Sequence, residues 1–169
     1  NKAIISEKDY FGIIGRKTAE LFKAASQSAA VLSGVSNEVV KTAGDFAYSL
    51  GIAFQIQDDL LDYFGNKELT GKKIGKDFEE GKITLPLLRT IELTSNQNKK
   101  TILKLISKKD SLSLSKVIEI IKGSGALKEV QEIYNSYIED CLSKVSLFPD
   151  SIYKIKIQNI VKEVSERKG

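Results

Sequence analysis

The chain has no histidine, no methionine and no tryptophan, and it carries a single cysteine, two prolines and three arginines (Arg16, Arg89 and Arg167). Each scarcity removes a class of chemistry. Without histidine there is no Ser-His-Asp triad or Cys-His dyad, and Cys141 alone makes neither an internal disulfide nor a Cys/His zinc site. Catalysis or binding therefore has to come from carboxylates, lysines, hydroxyls and amides, with a hard cation as their natural companion. No apolar run approaches the ~20 residues of a membrane span and no signal-peptide pattern opens the chain, so a cytoplasmic protein is expected. The lack of methionine argues against Asn1 as the biological start, and a C-terminal piece of something longer is expected.

What is present fits one globular domain. The chain is 169 residues long, with 41% hydrophobic and 28% charged residues, a balance that excludes disorder and fibrous repeats. The 26 basic and 22 acidic residues are interspersed, and no basic run alternates with aromatics, so nucleic acid is not an expected partner.

Apolar residues recur at helical spacing nearly throughout. Ser6, with Glu7 and Asp9, reads as the N-cap of a helix reaching about Leu32, with an inward stripe of Tyr10, Ile13, Ile14, Leu21, Ala24 and Ala25. Gly12 and Gly15 are placed to bend it ahead of Lys17. Ser36 or Asn37 caps a second helix running from Glu38 to Phe64, about 40 Å at ~1.5 Å per residue. The Gly65–Lys82 stretch loses its apolar period and reads as a long loop, a feature that in compact domains is usually functional. Helical signals resume at Thr84, with Pro86 in the first turn. Thr94 to Thr101 reads as a polar connection, followed by shorter helices at about Ile102–Ser107 and Leu114–Lys122. After Gly123-Ser124-Gly125 come two more, Ala126–Val145 and Ser151–Arg167. On the first of these, Leu127, Val130, Tyr134, Tyr137, Ile138, Cys141 and Val145 form an inward stripe, which makes Cys141 a buried structural thiol. With no β-alternation, repeat or second domain, the fold class is all-α.

Chemistry concentrates in Phe54-Gln55-Ile56-Gln57-Asp58-Asp59-Leu60-Leu61-Asp62. Asp58 and Asp62 stack on one helix face, with Asp59 about 100° away and Gln55 one turn earlier. Like charges at this spacing destabilise a helix by a few tenths of a kcal/mol, so something should offset them. Carboxylates without soft ligands suit Mg²⁺, which binds through one or two of them plus water and substrate phosphates. The loop that follows supplies Lys72, Lys73, Lys76 and Lys82 among glycines, a reasonable diphosphate cradle. A solvated acidic patch beside a solvated lysine loop is the alternative reading.

This segment resembles the second aspartate-rich motif of the trans-isoprenyl diphosphate synthases, the polyprenyl synthetases. Lys17-Thr18-Ala19-Glu20-Leu21-Phe22 is similar to the family's upstream Lys-Thr segment. The run from Gly71 through Gly75, Asp77 and Gly81-Lys82-Ile83-Thr84-Leu85-Pro86 is similar to its downstream segment, in the form of the long-chain, quinone-side-chain branch. The resemblance implies an isoprenoid-synthase helical bundle of which this is the C-terminal portion. It also implies a Mg²⁺-dependent prenyltransferase joining isopentenyl diphosphate to an allylic prenyl diphosphate, and a homodimer.

By the same resemblance Asp58 is a direct metal ligand, and Asp59 and Asp62 are ligands or act through water. Lys17, with Lys72 or Lys73, contacts the allylic diphosphate. Thr18 and Gln55 stabilise the developing allylic cation, helix packing being their alternative role. Asp77 and Lys82 order the loop or pair near the phosphates. The diphosphate itself serves as proton acceptor, which suits a histidine-free site. The family's earlier aspartate motif is absent, so this chain alone is expected to be inactive. A non-catalytic subunit of a heteromeric synthase is the alternative.

Overall fold

The structure, a computed structural model, describes residues 5–65 and 74–167, and among them there are helices and turns but no strand. In chain order the helices are α1 (Glu7–Ile14), which passes through a π turn (Gly15–Ala19) into α2 (Glu20–Leu32), then α3 (Asn37–Phe64), α4 (Lys76–Glu80), α5 (Leu85–Leu93), α6 (Asn96–Lys108), α7 (Ser111–Gly123), α8 (Ala126–Ser146) and α9 (Ile152–Glu166). None of the described helices is long and apolar enough to cross a membrane.

Local chemistry sets these boundaries. Ser6 Oγ accepts the Asp9 N–H at 3.1 Å while the Asp9 carboxylate accepts the Ser6 N–H at 3.2 Å, a reciprocal box that starts α1. Pro86 lies in the first turn of α5, where its missing N–H is harmless. The stretch expected to be a polar connection, Thr94 to Thr101, is instead mostly the first turns of α6. Ser95 accepts the Asn98 N–H at 3.4 Å, so these polar residues form a cap and an exposed helix face. Asp110 caps α7 in the same way, and the Ser113 N–H at 2.7 Å holds its carboxyl below the usual range.

The stripe expected along the first helix needs a larger correction. Tyr10 and Ile14 are buried, yet Ile13 is 46% exposed, Leu21 71%, and Ala24 and Ala25 are exposed as well. The π turn holds one more residue than an α turn, so the 3.6-residue period of α1 does not carry into α2. The partly buried face of α2 is led by Phe22 and Ser26 instead.

The described residues fall into two compact units, one of residues 5–10, 58–65 and 74–132, the other of Phe11–Gln57 and Ile133–Arg167. In the first, Tyr63, Phe78, Leu87, Ile102, Val117 and Ile121 form the core. In the second it is Phe46, Leu50, Cys141, Val145 and Val161. Each large apolar side chain among them contributes about 1.5–3 kcal/mol on burial.

The α8 stripe is as expected: Val130, Tyr134, Cys141 and Val145 are buried and the other members half-buried. Burial pushes both the Cys141 thiol and the Tyr134 hydroxyl up to about 12, from ordinary values of 9.0 and 10.0. The folded chain thus holds both protons more tightly than the unfolded chain does. Their contribution is complete below the ordinary thiol value and is lost as pH rises toward 12. Melting temperature is therefore expected to start falling above about pH 9, and iodoacetamide at about pH 8 should alkylate Cys141 in urea but not in the native chain.

Candidate functional site

The carboxylates carried near the end of α3 occupy three different environments. Asp59 is 3% exposed, and the Tyr10 hydroxyl donates to its Oδ2 at 2.6 Å, across 49 residues of sequence. Asp62 is half-buried and caps α4: Oδ1 accepts the Lys76 N–H at 3.1 Å and Oδ2 the Asp77 N–H at 3.0 Å. Burial and the nearby Asp77 carboxylate raise the Asp62 pKa, against the pull of those two amides. Asp58 is half-buried, one residue from Asp59 and one turn from Asp62.

Among the described residues no three acidic or thiol groups are gathered into a ready-made metal cage. Asp62, expected to be a ligand or to act through water, has a carboxylate whose two oxygens each accept one amide of α4. Asp58 still suits a hard cation, since Mg²⁺ is commonly held by one or two carboxylates, water and substrate phosphate. Removal of the cap by Asp62→Ala is expected to speed amide exchange at Lys76 and Asp77. It should cost about 1 kcal/mol, readable as a shift in urea midpoint.

The described part of the downstream loop, residues 74–82, is more structured than its composition suggests. Gly75 and Gly81, with φ of 81° and 71°, bracket α4, and Phe78 at its centre is fully buried. A Cβ at Gly75 would lie 2.2 Å from Leu114, so positive φ and close packing both require glycine there. Lys82 pairs with Glu80 at 2.6 Å and Asp77 at 2.9 Å, and these contacts push its ammonium pKa well above the usual lysine range. The residues expected to order the loop or pair near the phosphates, Asp77 and Lys82, are here paired with each other. Lys72 and Lys73 lie outside the described residues.

Lys17 and Thr18 sit in the π turn, a feature often found at functional sites. Lys17 is exposed, and the half-buried Thr18 Oγ1 donates to Gln55 Oε1 at 2.9 Å. Gln55 is itself buried. Thr18 and Gln55, 37 residues apart in sequence, are thus in direct contact. A close approach makes it possible: a Cβ at Gly51 would stand 2.7 Å from the Ala19 Cα.

Tyr10 and Arg167 contact residues of the motif without any sign of it in the sequence. Tyr10 reads there as one more member of an apolar stripe. Gln57 Nε2 donates to the Arg167 carbonyl at 2.6 Å, and the Arg167 guanidinium lies 5.0 Å from the Phe54 ring centre. A tyrosine at a helical core position carries no signal of what its hydroxyl will meet, and a terminal arginine none of the ring it will cover.

Known proteins resemble this chain in sequence and in fold. The polyprenyl synthetase family model matches residues 1–122. The chain is 35% identical to an all-trans-nonaprenyl-diphosphate synthase (geranyl-diphosphate specific) of Rhodobacter capsulatus, over 96% of this chain and 50% of that protein. It is 33% identical to the octaprenyl diphosphate synthase of Escherichia coli strain K12, over 91% of this chain and 48% of that one. The crystal structure of a polyprenyl synthase from Caulobacter crescentus CB15, complexed with calcium and isoprenyl diphosphate, superposes with a TM-score of 0.90 at 34% identity. It covers 98% of this chain and 51% of the other. The chain spans about half the length of the curated relatives it matches.

Proposed function

Because this chain belongs to the polyprenyl synthetase family, we propose that it supplies the second aspartate-bearing part of a Mg²⁺-dependent trans-prenyltransferase. The reaction is the condensation of isopentenyl diphosphate with an allylic prenyl diphosphate, in the long-chain branch that makes quinone side chains, and the working form is a homodimer. The observation that carries this reading is the placement of charge. A helix that holds Asp58, Asp59 and Asp62 within five residues, one carboxylate of them buried, accepts a destabilisation that a solvated patch does not require.

The roles follow from what each group can do. Asp58 would hold the cation, with the diphosphate and water completing its shell, and bound Mg²⁺ would supply neutralisation of the charge gathering on the leaving group. Lys17, exposed on the π turn, would add a point charge for an allylic diphosphate, a role Lys72 or Lys73 would share. Thr18 and Gln55, hydrogen-bonded to each other, would offer oxygen dipoles to the allylic carbon as its C–O bond breaks and positive charge develops. The isopentenyl double bond attacks that carbon, and the departing diphosphate takes the proton released. Asp62 and the Asp77–Lys82 pair hold α4 against the end of α3.

Mn²⁺ titrated into the chain with inorganic diphosphate, followed by electron paramagnetic resonance, tests the reading. Diphosphate-dependent binding of the cation is expected. Absence of binding at millimolar concentrations of both would overturn it. In a prenyl-transfer assay the isolated chain is expected to be silent, because it brings one of the two aspartate clusters the reaction uses; measurable product from it would refute that division of labour.

A further inference from the structure

Tyr10 is fixed by more than its own ring. It directly follows the Ser6–Asp9 box, and the same turn is tied to α5 by an ion pair from Arg89 Nη2 to Glu7 Oε2 at 2.6 Å. The Arg89 and Glu7 side chains are 22% and 34% exposed, so the tie is partly sheltered from solvent. The aromatic ring is 3% exposed, and its hydroxyl meets the equally buried Asp59 carboxylate at 2.6 Å. An O–H to carboxylate bond this short is a charge-assisted one, stronger and more directional than a neutral hydrogen bond. It constrains the rotation of a side chain that adjoins Asp58 in sequence on the same helix.

We propose that Tyr10 is a positioning residue: by holding the Asp59 carboxylate in one orientation beside Asp58, it sets the affinity of this end of α3 for a divalent cation. The proposal rests on the reading of Asp58 as the metal-holding group. Groups that orient a metal ligand typically change metal affinity by 10–100-fold without touching the metal. Tyr10 fits that pattern because its contact reaches Asp59 from a separate helix that is anchored independently, through Ser6, Asp9 and Glu7. A ring placed only for packing needs no acceptor of this kind at its tip.

The test is a double-mutant cycle on the full chain, with Mn²⁺ and inorganic diphosphate as probe. Tyr10→Phe keeps the ring and removes the hydroxyl, and it is expected to weaken Mn²⁺ binding about 10-fold. Asp59→Asn should weaken it by a similar factor, and adding Tyr10→Phe to Asp59→Asn should change it by less than about twofold, the mark of one residue acting through the other. If Tyr10→Phe lowers the melting temperature but leaves Mn²⁺ affinity within about twofold of the parent, the role is structural and the proposal fails. It fails equally if Asp59→Asn keeps the parent's affinity, whether or not Tyr10→Phe folds. If the parent binds no Mn²⁺, or Asp58→Ala binds it as the parent does, the metal reading itself is wrong and this proposal falls with it.

Discussion

Asp58→Ala is expected to weaken Mn²⁺ binding in the presence of inorganic diphosphate by about 100-fold or more, and at the same time to leave the chain as stable as before or slightly more so. The two effects have separate physical causes. Asp58 and Asp62 are one turn apart on α3, and the Asp58 carboxylate is among the charges that raise the Asp62 pKa. Removing it relieves a repulsion of a few tenths of a kcal/mol. A solvated acidic patch would give the same small gain in stability with no change in diphosphate-dependent metal binding. The pair of measurements, a Mn²⁺ titration and a urea midpoint, therefore separates a functional carboxylate from a decorative one.

The second large effect is expected far from any proposed ligand. Phe78→Ala should destabilise the chain by about 3–5 kcal/mol, a large part of the 5–15 kcal/mol typical of a domain. Phe78 is fully buried in the core formed with Tyr63, Leu87, Ile102, Val117 and Ile121, and it is the buried residue of the five-residue helix α4. A helix that short cannot persist on its own hydrogen bonds. Its stability comes from this one ring and from the Asp62 cap at its N-terminus. Loss of the ring should also release the Lys82 pairs with Asp77 and Glu80, visible as faster amide exchange through residues 76–82. Phe78→Leu should recover part of the loss, since it restores apolar volume. A midpoint shift below about 1 kcal/mol for Phe78→Ala would show that α4 does not depend on this core.

Much of this architecture can be read from residue order because its signals are local. Ser6 with Asp9, Pro86 in the first turn of α5, and Ser151 before α9 are helix-start chemistry written within four residues. The stripe through Val130, Tyr134, Cys141 and Val145 repeats at the helical period. The acidic motif is legible for the same reason, since spacing alone puts Asp58 and Asp62 on one face. The stretches that depart from expectation are those where a local rule meets a contact from elsewhere. α4 reads as a loop because one buried ring outweighs four polar neighbours. The start of α6 reads as a connection because its exposed polar face hides the period.

Residue order, then, determined the helices, their caps, the carboxylates on α3 and the likeness to one family. These depend on interactions within one or two turns. The tertiary structure alone decided which aspartate meets which partner: Asp59 lies beneath the Tyr10 hydroxyl, while Asp62 caps α4. It also decided that a π turn brings Thr18 onto Gln55 and carries Leu21 out to solvent. The reason is that a carboxylate's environment and a helix's rotational phase are set by whatever packs against them, and those partners stand tens of residues away in the chain.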